Sequence, residues 1–149
     1  MEKNRIMLDT SAYSAYLRGN SEIKLSIQQA DEICLNPVIL GELLAGFTMG
    51  KSEKKNRAIL EEFLSSPRVK VVAIDEETSE RYAVIVNHLR KEGAPIPTND
   101  LWISASAMQH GLKVITTDSH YLKVPQIITE HYQAEFRNSQ RRKTISYEP

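Results

Sequence analysis

Two short apolar runs in this chain end on an acid: Ile6-Met7-Leu8 on Asp9, and Val114-Ile115-Thr116-Thr117 on Asp118. Two further acids interrupt apolar helical stretches, Glu42 within VILGELLAGF and Asp100 just ahead of Leu101-Trp102-Ile103. Burying carboxylates in such settings is costly without compensation. If the four meet, their repulsion raises their pKa values and strains the fold unless hard cations neutralise the cluster. An all-oxygen donor set favours Mg²⁺ or Mn²⁺ over zinc. Two such ions roughly 3.5–4 Å apart clamp the attacking water and the leaving oxygen of a phosphodiester in an in-line displacement. The pattern therefore suggests nuclease chemistry. Each acid also has a plainer use: Asp9 and Asp118 as strand-end residues capping the next helix, Asp100 as a first-turn acid favoured by the helix dipole, Glu42 on a solvated face.

Positioning four acids drawn from distant segments requires a framework, and the chain outlines one. Strands are expected at Ile6–Leu8, Glu32–Leu35, Val69–Ile74, Lys113–Thr117 and Gln126–Thr129. Between them lie a helix from Thr10 closed by Gly19-Asn20, a second over Ser21–Ala30, and a third begun by Asn36-Pro37. An amphipathic helix over Ser52–Ser65 carries Ile59, Leu60, Phe63 and Leu64 on one side. Asp75 opens a long helix that stops at Gly93, and Thr98-Asn99 is expected to cap another that ends at Gly111. Short strands alternating with helices indicate an α/β sandwich around a mostly parallel sheet. In such a sheet both aspartate-tipped strands end on the same edge, where α/β folds place their ligands.

A length of 149 residues fits one domain, and 41% hydrophobic content can supply its core. The 19 basic and 19 acidic residues balance, which excludes a globally basic nucleic-acid coat and a polyacidic chain. The balance is uneven along the chain. Residues 133–149 hold Arg137, Arg141, Arg142 and Lys143 against Glu135 and Glu148, so a basic C-terminal tail, expected to be flexible, follows a mildly acidic body over residues 1–132. Such a tail can hold RNA electrostatically. The single cysteine, Cys34, has no partner for an internal disulfide, so a reducing compartment is expected. The N-terminal apolar run falls far short of a signal peptide or a span of roughly 20 residues, so a cytoplasmic location without membrane contact is expected.

The segments LDTSAY (8–13), GELLAG (41–46), PTNDLWISASA (97–107) and VITTDSHYLKVP (114–125) resemble the motifs of PIN-domain ribonucleases, specifically the VapC-type toxins of toxin–antitoxin pairs. The resemblance runs from about Ile6 to Tyr132. It implies a three-layer α/β/α sandwich with a central mostly parallel sheet, a Mg²⁺- or Mn²⁺-dependent endoribonuclease, a VapB-like antitoxin partner and a homodimer. It assigns Asp9, Glu42, Asp100 and Asp118 to the acidic metal-binding set. Thr10 or Ser11 becomes a hydroxyl near the reacting phosphate, Thr116 the threonine two before the last acid, and Asn99 a supporting residue. By the same resemblance, an antitoxin helix covers the groove near the Glu42 helix. One position departs: His120 stands where these toxins often carry a second acid, and is read as a non-ligand because imidazole suits borderline metals.

Other features carry less. Lys51, Lys54, Lys55 and Arg57 either guide an RNA backbone or form a solvated face balanced by Glu53, Glu61 and Glu62. Trp102 is expected in the core rather than stacked on a base, and Tyr13 and Tyr16 are expected to pack. His88, His110 and His131 share no ligand spacing, and no Gly-rich phosphate loop occurs. A non-catalytic PIN module binding RNA or a protein is the principal alternative. An aspartyl-phosphate enzyme fits less well, because Asp9-Thr10-Ser11 lacks the second aspartate of that chemistry.

Overall fold

The computed structural model describes residues 2–134. Five strands, β1 (Arg5–Leu8), β2 (Glu32–Leu35), β3 (Val69–Val71), β4 (Lys113–Thr116) and β5 (Thr129–His131), form one sheet in the order β3-β2-β1-β4-β5. Every pairing is parallel. The helices are α1 (Thr10–Leu17), α2 (Ser21–Gln29), α3 (Pro37–Met49), α4 (Glu53–Leu64), α5 (Glu76–Glu92) and α6 (Thr98–His110). From β1 the chain winds outward to β2 and β3, then crosses back to β4 and on to β5. Right-handed crossovers place α1–α4 on one face of the sheet and α5–α6 on the other, a three-layer α/β/α sandwich. The winding direction reverses between β1 and β4, the topological switch point of an open α/β sheet.

Burial accounts for the strand sequences. Ile6, Met7, Leu8, Ile33, Leu35, Val114 and Ile115 are almost fully enclosed, as expected for strands covered on both faces. A smaller apolar cluster, built on Ile85, Leu89, Ile96, Leu101, Ala105 and Val124, joins α5 and α6. Trp102 is only half-buried and stacks on Tyr82 at 4.2 Å, whereas Tyr13 is enclosed and meets Phe63 edge-on at 5.3 Å. Burial pushes the Cys34 thiol up to about 11, which makes it an unreactive core residue.

The helix ends expected from capping chemistry largely form. Asn36 accepts from the Ile39 amide at 2.9 Å, Asp75 and Thr78 make a reciprocal capping box, and Gly93 and Gly111 close their helices at φ +65°. Three details differ. Strand β3 stops at Val71, although Val72 N still reaches the Leu35 carbonyl at 2.8 Å, because β2 gives way to α3 and offers nothing further to pair with. The last strand is the polar Thr129–His131, not Gln126–Thr129; at a sheet edge with polar, at most half-buried side chains, apolar pattern does not set register. Helix α6 begins after Pro97 without a side-chain cap, so Thr98 and Asn99 lie inside its first turn. The expected tail lies, from residue 135 onward, outside the described residues. No helix among the described residues is long and apolar enough to cross a membrane.

Candidate active site

Asp9 leaves the carboxyl end of β1 and caps α1. Its side chain is 2% exposed, yet both oxygens have donors: the Ala12 amide and Ser11 hydroxyl donate to Oδ1 at 2.8 Å each, and the Thr116 hydroxyl donates to Oδ2 at 2.7 Å. The plainer capping use of Asp9 is therefore real and coexists with a place in the cluster. Burial is the main influence on this carboxyl, pushing its pKa up to about 6 against the opposing hydrogen bonds, with the Asp118 charge adding to the rise. Thr116 ties the two strand ends together, since its hydroxyl also accepts the Asp118 amide at 2.8 Å. Ser11 makes a second tie by accepting the Thr117 amide at 3.0 Å.

Asp118 follows β4 by two residues and caps a short 3-10 turn (Ser119–Lys123), accepting the His120 amide at 2.9 Å. That turn swings the His120 ring back, so its Nδ1 lies 2.7 Å from Asp118 Oδ1 and 3.5 Å from Asp100 Oδ2. His120, read from the sequence as a non-ligand, thus stands inside the acid cluster. Asp100, Asp118 and His120 each present a potential ligand atom within 4.8 Å of the others.

Asp100 comes from the first turn of α6 and is 8% exposed. The buried Tyr121 hydroxyl donates to its Oδ1 at 3.2 Å, but among the described residues its Oδ2 accepts no hydrogen bond. Burial, then the neighbouring Asp118 charge, pushes the Asp100 carboxyl up to about 7. Tyr121 was not marked as a site residue from the sequence. The available signal was a tyrosine in an apolar position three residues after an acid, where a buried phenol requires a hydrogen-bond partner.

Glu42 is half-buried on α3 and stands outside the tightest group of three. Thr10 donates to its Oε1, and the Asn99 amide donates to Oε2 at 2.8 Å. Thr10 thus serves Glu42 while Ser11 serves Asp9, which separates two hydroxyls that the sequence left interchangeable. The cations at the start of α4 are exposed, and Arg57 pairs with Glu53 at 2.9 Å. Converging carboxylates, one with a buried oxygen that accepts no hydrogen bond among the described residues, form an electron-rich pocket suited to a hard divalent cation.

This arrangement at the switch point of a parallel sheet matches a known class. The chain belongs to the PIN domain family, whose pattern covers residues 6–127. Among individual relatives, Ribonuclease VapC1 of Haemophilus influenzae is 35% identical over 129 residues, covering 83% of this chain and 92% of the relative. Ribonuclease VapC4 of Mycobacterium tuberculosis is 33% identical over 90 residues, covering 60% of this chain and 69% of the relative. In fold, the chain is similar to the crystal structure of VapBC2 from Rickettsia felis bound to a promoter DNA fragment, with a TM-score of 0.76 at 22% identity over 86% of this chain and 98% of that one.

Proposed function

We propose that this chain is a metal-dependent endoribonuclease hydrolysing RNA phosphodiester bonds, the toxin of a type II toxin–antitoxin pair restrained by a VapB-like antitoxin. The observation that carries the reading is the convergence of Asp100, Asp118 and His120 at one sheet edge, with Asp9 tied to Asp118 through Thr116 and with Asp100 Oδ2 accepting no hydrogen bond among the described residues. The relatives named as ribonucleases support the same activity.

Asp100 and Asp118 would hold Mg²⁺ or Mn²⁺ through their facing oxygens, with His120 beside them in the same group and Asp9 as a further carboxylate tied to Asp118 through Thr116. The bound ion supplies an activated water and offsets charge on the phosphate. The protein's own contribution is placement. Tyr121 holds one Asp100 oxygen, which leaves the other turned to the cluster. Thr116 and Ser11 fix Asp9 and Asp118 relative to each other. Glu42, held from two sides, is placed to orient the attacking water. No side chain here acts as a covalent nucleophile.

Incubating the full chain with total RNA and Mg²⁺ or Mn²⁺, then sequencing RNA ends, should reveal new cleavage sites that disappear in EDTA. Absence of new ends with either ion would instead indicate a non-catalytic PIN module. Asn99→Ala leaves Glu42 with Thr10 alone. It should lower kcat about tenfold, the scale seen when outer partners of metal-site residues are lost. Asn99 is exposed, so Tm should be unchanged; a matched fall in Tm and activity would assign the contact to stability.

A further inference from the structure

A cleft of about 530 Å³ runs from the acid site down the flank between α1 and α3. Thr10 and Glu42 line it, which brings the cleft to the edge of the acid site although Asp9, Asp100, Asp118 and His120 are not in its wall, and Arg18 and Asn56 stand among its other lining residues. Thr10, Ser14 and Arg18 recur every four residues and share one helix face. Arg18 caps the C-terminal end of α1, roughly 12 Å from Thr10 at 1.5 Å per residue. Among the described residues Arg18 makes no ion pair, as is true of Arg68 and Arg90, but Arg68 is held by the Ile27 and Ala30 carbonyls and neither Arg68 nor Arg90 lines the cleft. Leu17 and Phe47 give the cleft apolar lining. A Cβ built on Gly46, also in the wall, meets nothing within 4 Å.

We infer that this cleft is a subsite for the nucleotide flanking the scissile phosphate of a single-stranded RNA, with Arg18 contacting that nucleotide's phosphate. The inference rests on the nuclease reading. A cation set apart from the acids suits a strand whose charges repeat along its length: the scissile phosphate lies at the acid cluster and a neighbour reaches the guanidinium. Apolar walls and an open glycine leave room for the sugar and base between them.

The test measures anisotropy of a fluorescein-labelled, mixed-sequence 12-nucleotide RNA on the full chain, with Ca²⁺ as the hard divalent cation. Arg18→Ala should weaken binding about tenfold and reduce the slope of log K against log salt by about 0.7, the share of one single-strand phosphate. Gly46→Trp, which fills the cleft, should weaken binding at least as much. Gly46→Ala should raise Tm, since alanine suits a helix interior better than glycine, and so shows that the fold tolerates a side chain at this position. Wild-type affinity and salt slope in Arg18→Ala, from a chain whose parent cuts RNA, would overturn the subsite and leave the nuclease reading intact. A parent that neither binds nor cuts RNA would remove both. Unchanged RNA binding with weakened inhibition by the cognate antitoxin would assign the cleft to a protein segment and overturn the inference.

Discussion

Asp100→Asn is expected to reduce metal-dependent RNA cleavage by about 10²–10³-fold, comparable to losing one preorganised electrostatic group at a reacting centre. In EDTA the same variant should melt several degrees higher than the parent. Both effects follow from one oxygen. Asp100 Oδ2 is buried without a hydrogen-bond donor among the described residues and faces Asp118, so without a cation its charge is a burden that the neutral amide removes. The pH dependence is a stricter check. Because the folded carboxyl titrates near 7 and the unfolded one near 3.8, the folded state holds the proton more tightly, and stability falls as pH rises through that window. Asp9, raised to about 6, contributes a slope of the same sign over the lower part. Asp100→Asn should therefore flatten Tm against pH most clearly between about 6 and 7, measured by scanning fluorimetry in EDTA. Added Mn²⁺ should stabilise the variant less than the parent, because one ligand is gone. A lower Tm in EDTA, with the pH slope intact, would make Asp100 a structural residue.

Asp9→Ala should also abolish cleavage, but with the opposite effect on stability. Asp9 gives both oxygens to protein donors: it caps α1 through the Ala12 amide and anchors the hydroxyls of Ser11 and Thr116. Losing an N-cap costs about 0.5–2 kcal/mol. Freed buried hydroxyls add to that cost, while relief from burying a carboxylate offsets part of it. A net loss of about 1–2 kcal/mol in urea unfolding is expected, with or without metal. Two aspartates in one cluster would then move stability in opposite directions on truncation. If Asp9→Ala instead matched Asp100→Asn in EDTA, charge repulsion would outweigh capping at both positions.

What was legible in advance divides along physical lines. Helix ends written in local chemistry, such as Asn36-Pro37 or the Asp75 to Gly93 helix, form where their capping residues stand because the relevant bonds span only a few residues. The buried strands β1, β2 and β4 were equally visible as apolar runs. Edge strand β5 was displaced because its polar residues, Thr129, Glu130 and His131, carry no apolar pattern that pairing must obey. At the site, the four acids could be named from strand ends and from charge within apolar helices. Their unequal placement could not. Whether Glu42 joins the tight group or stands beside it depends on Thr10 and Asn99 reaching it from other elements, and the entry of His120 depends on a 3-10 turn after Asp118. Asn99 was expected to cap α6, yet its amide turns toward Glu42, a choice made by tertiary contact rather than local propensity.

The reversal of winding between β1 and β4 also bears on when the site is assembled during synthesis. The Thr116 to Asp9 hydrogen bond closes a loop of 107 residues, and the site has no opposing wall until β4 docks against β1. At translation rates of about 5–20 residues per second, Asp9 leaves the peptidyl-transfer centre roughly 5–20 s before Thr116 does. Contacts of such high order also form late in folding. A nascent or truncated chain lacking β4 therefore carries Asp9 and Glu42 without Asp118, and its acid cluster stays incomplete.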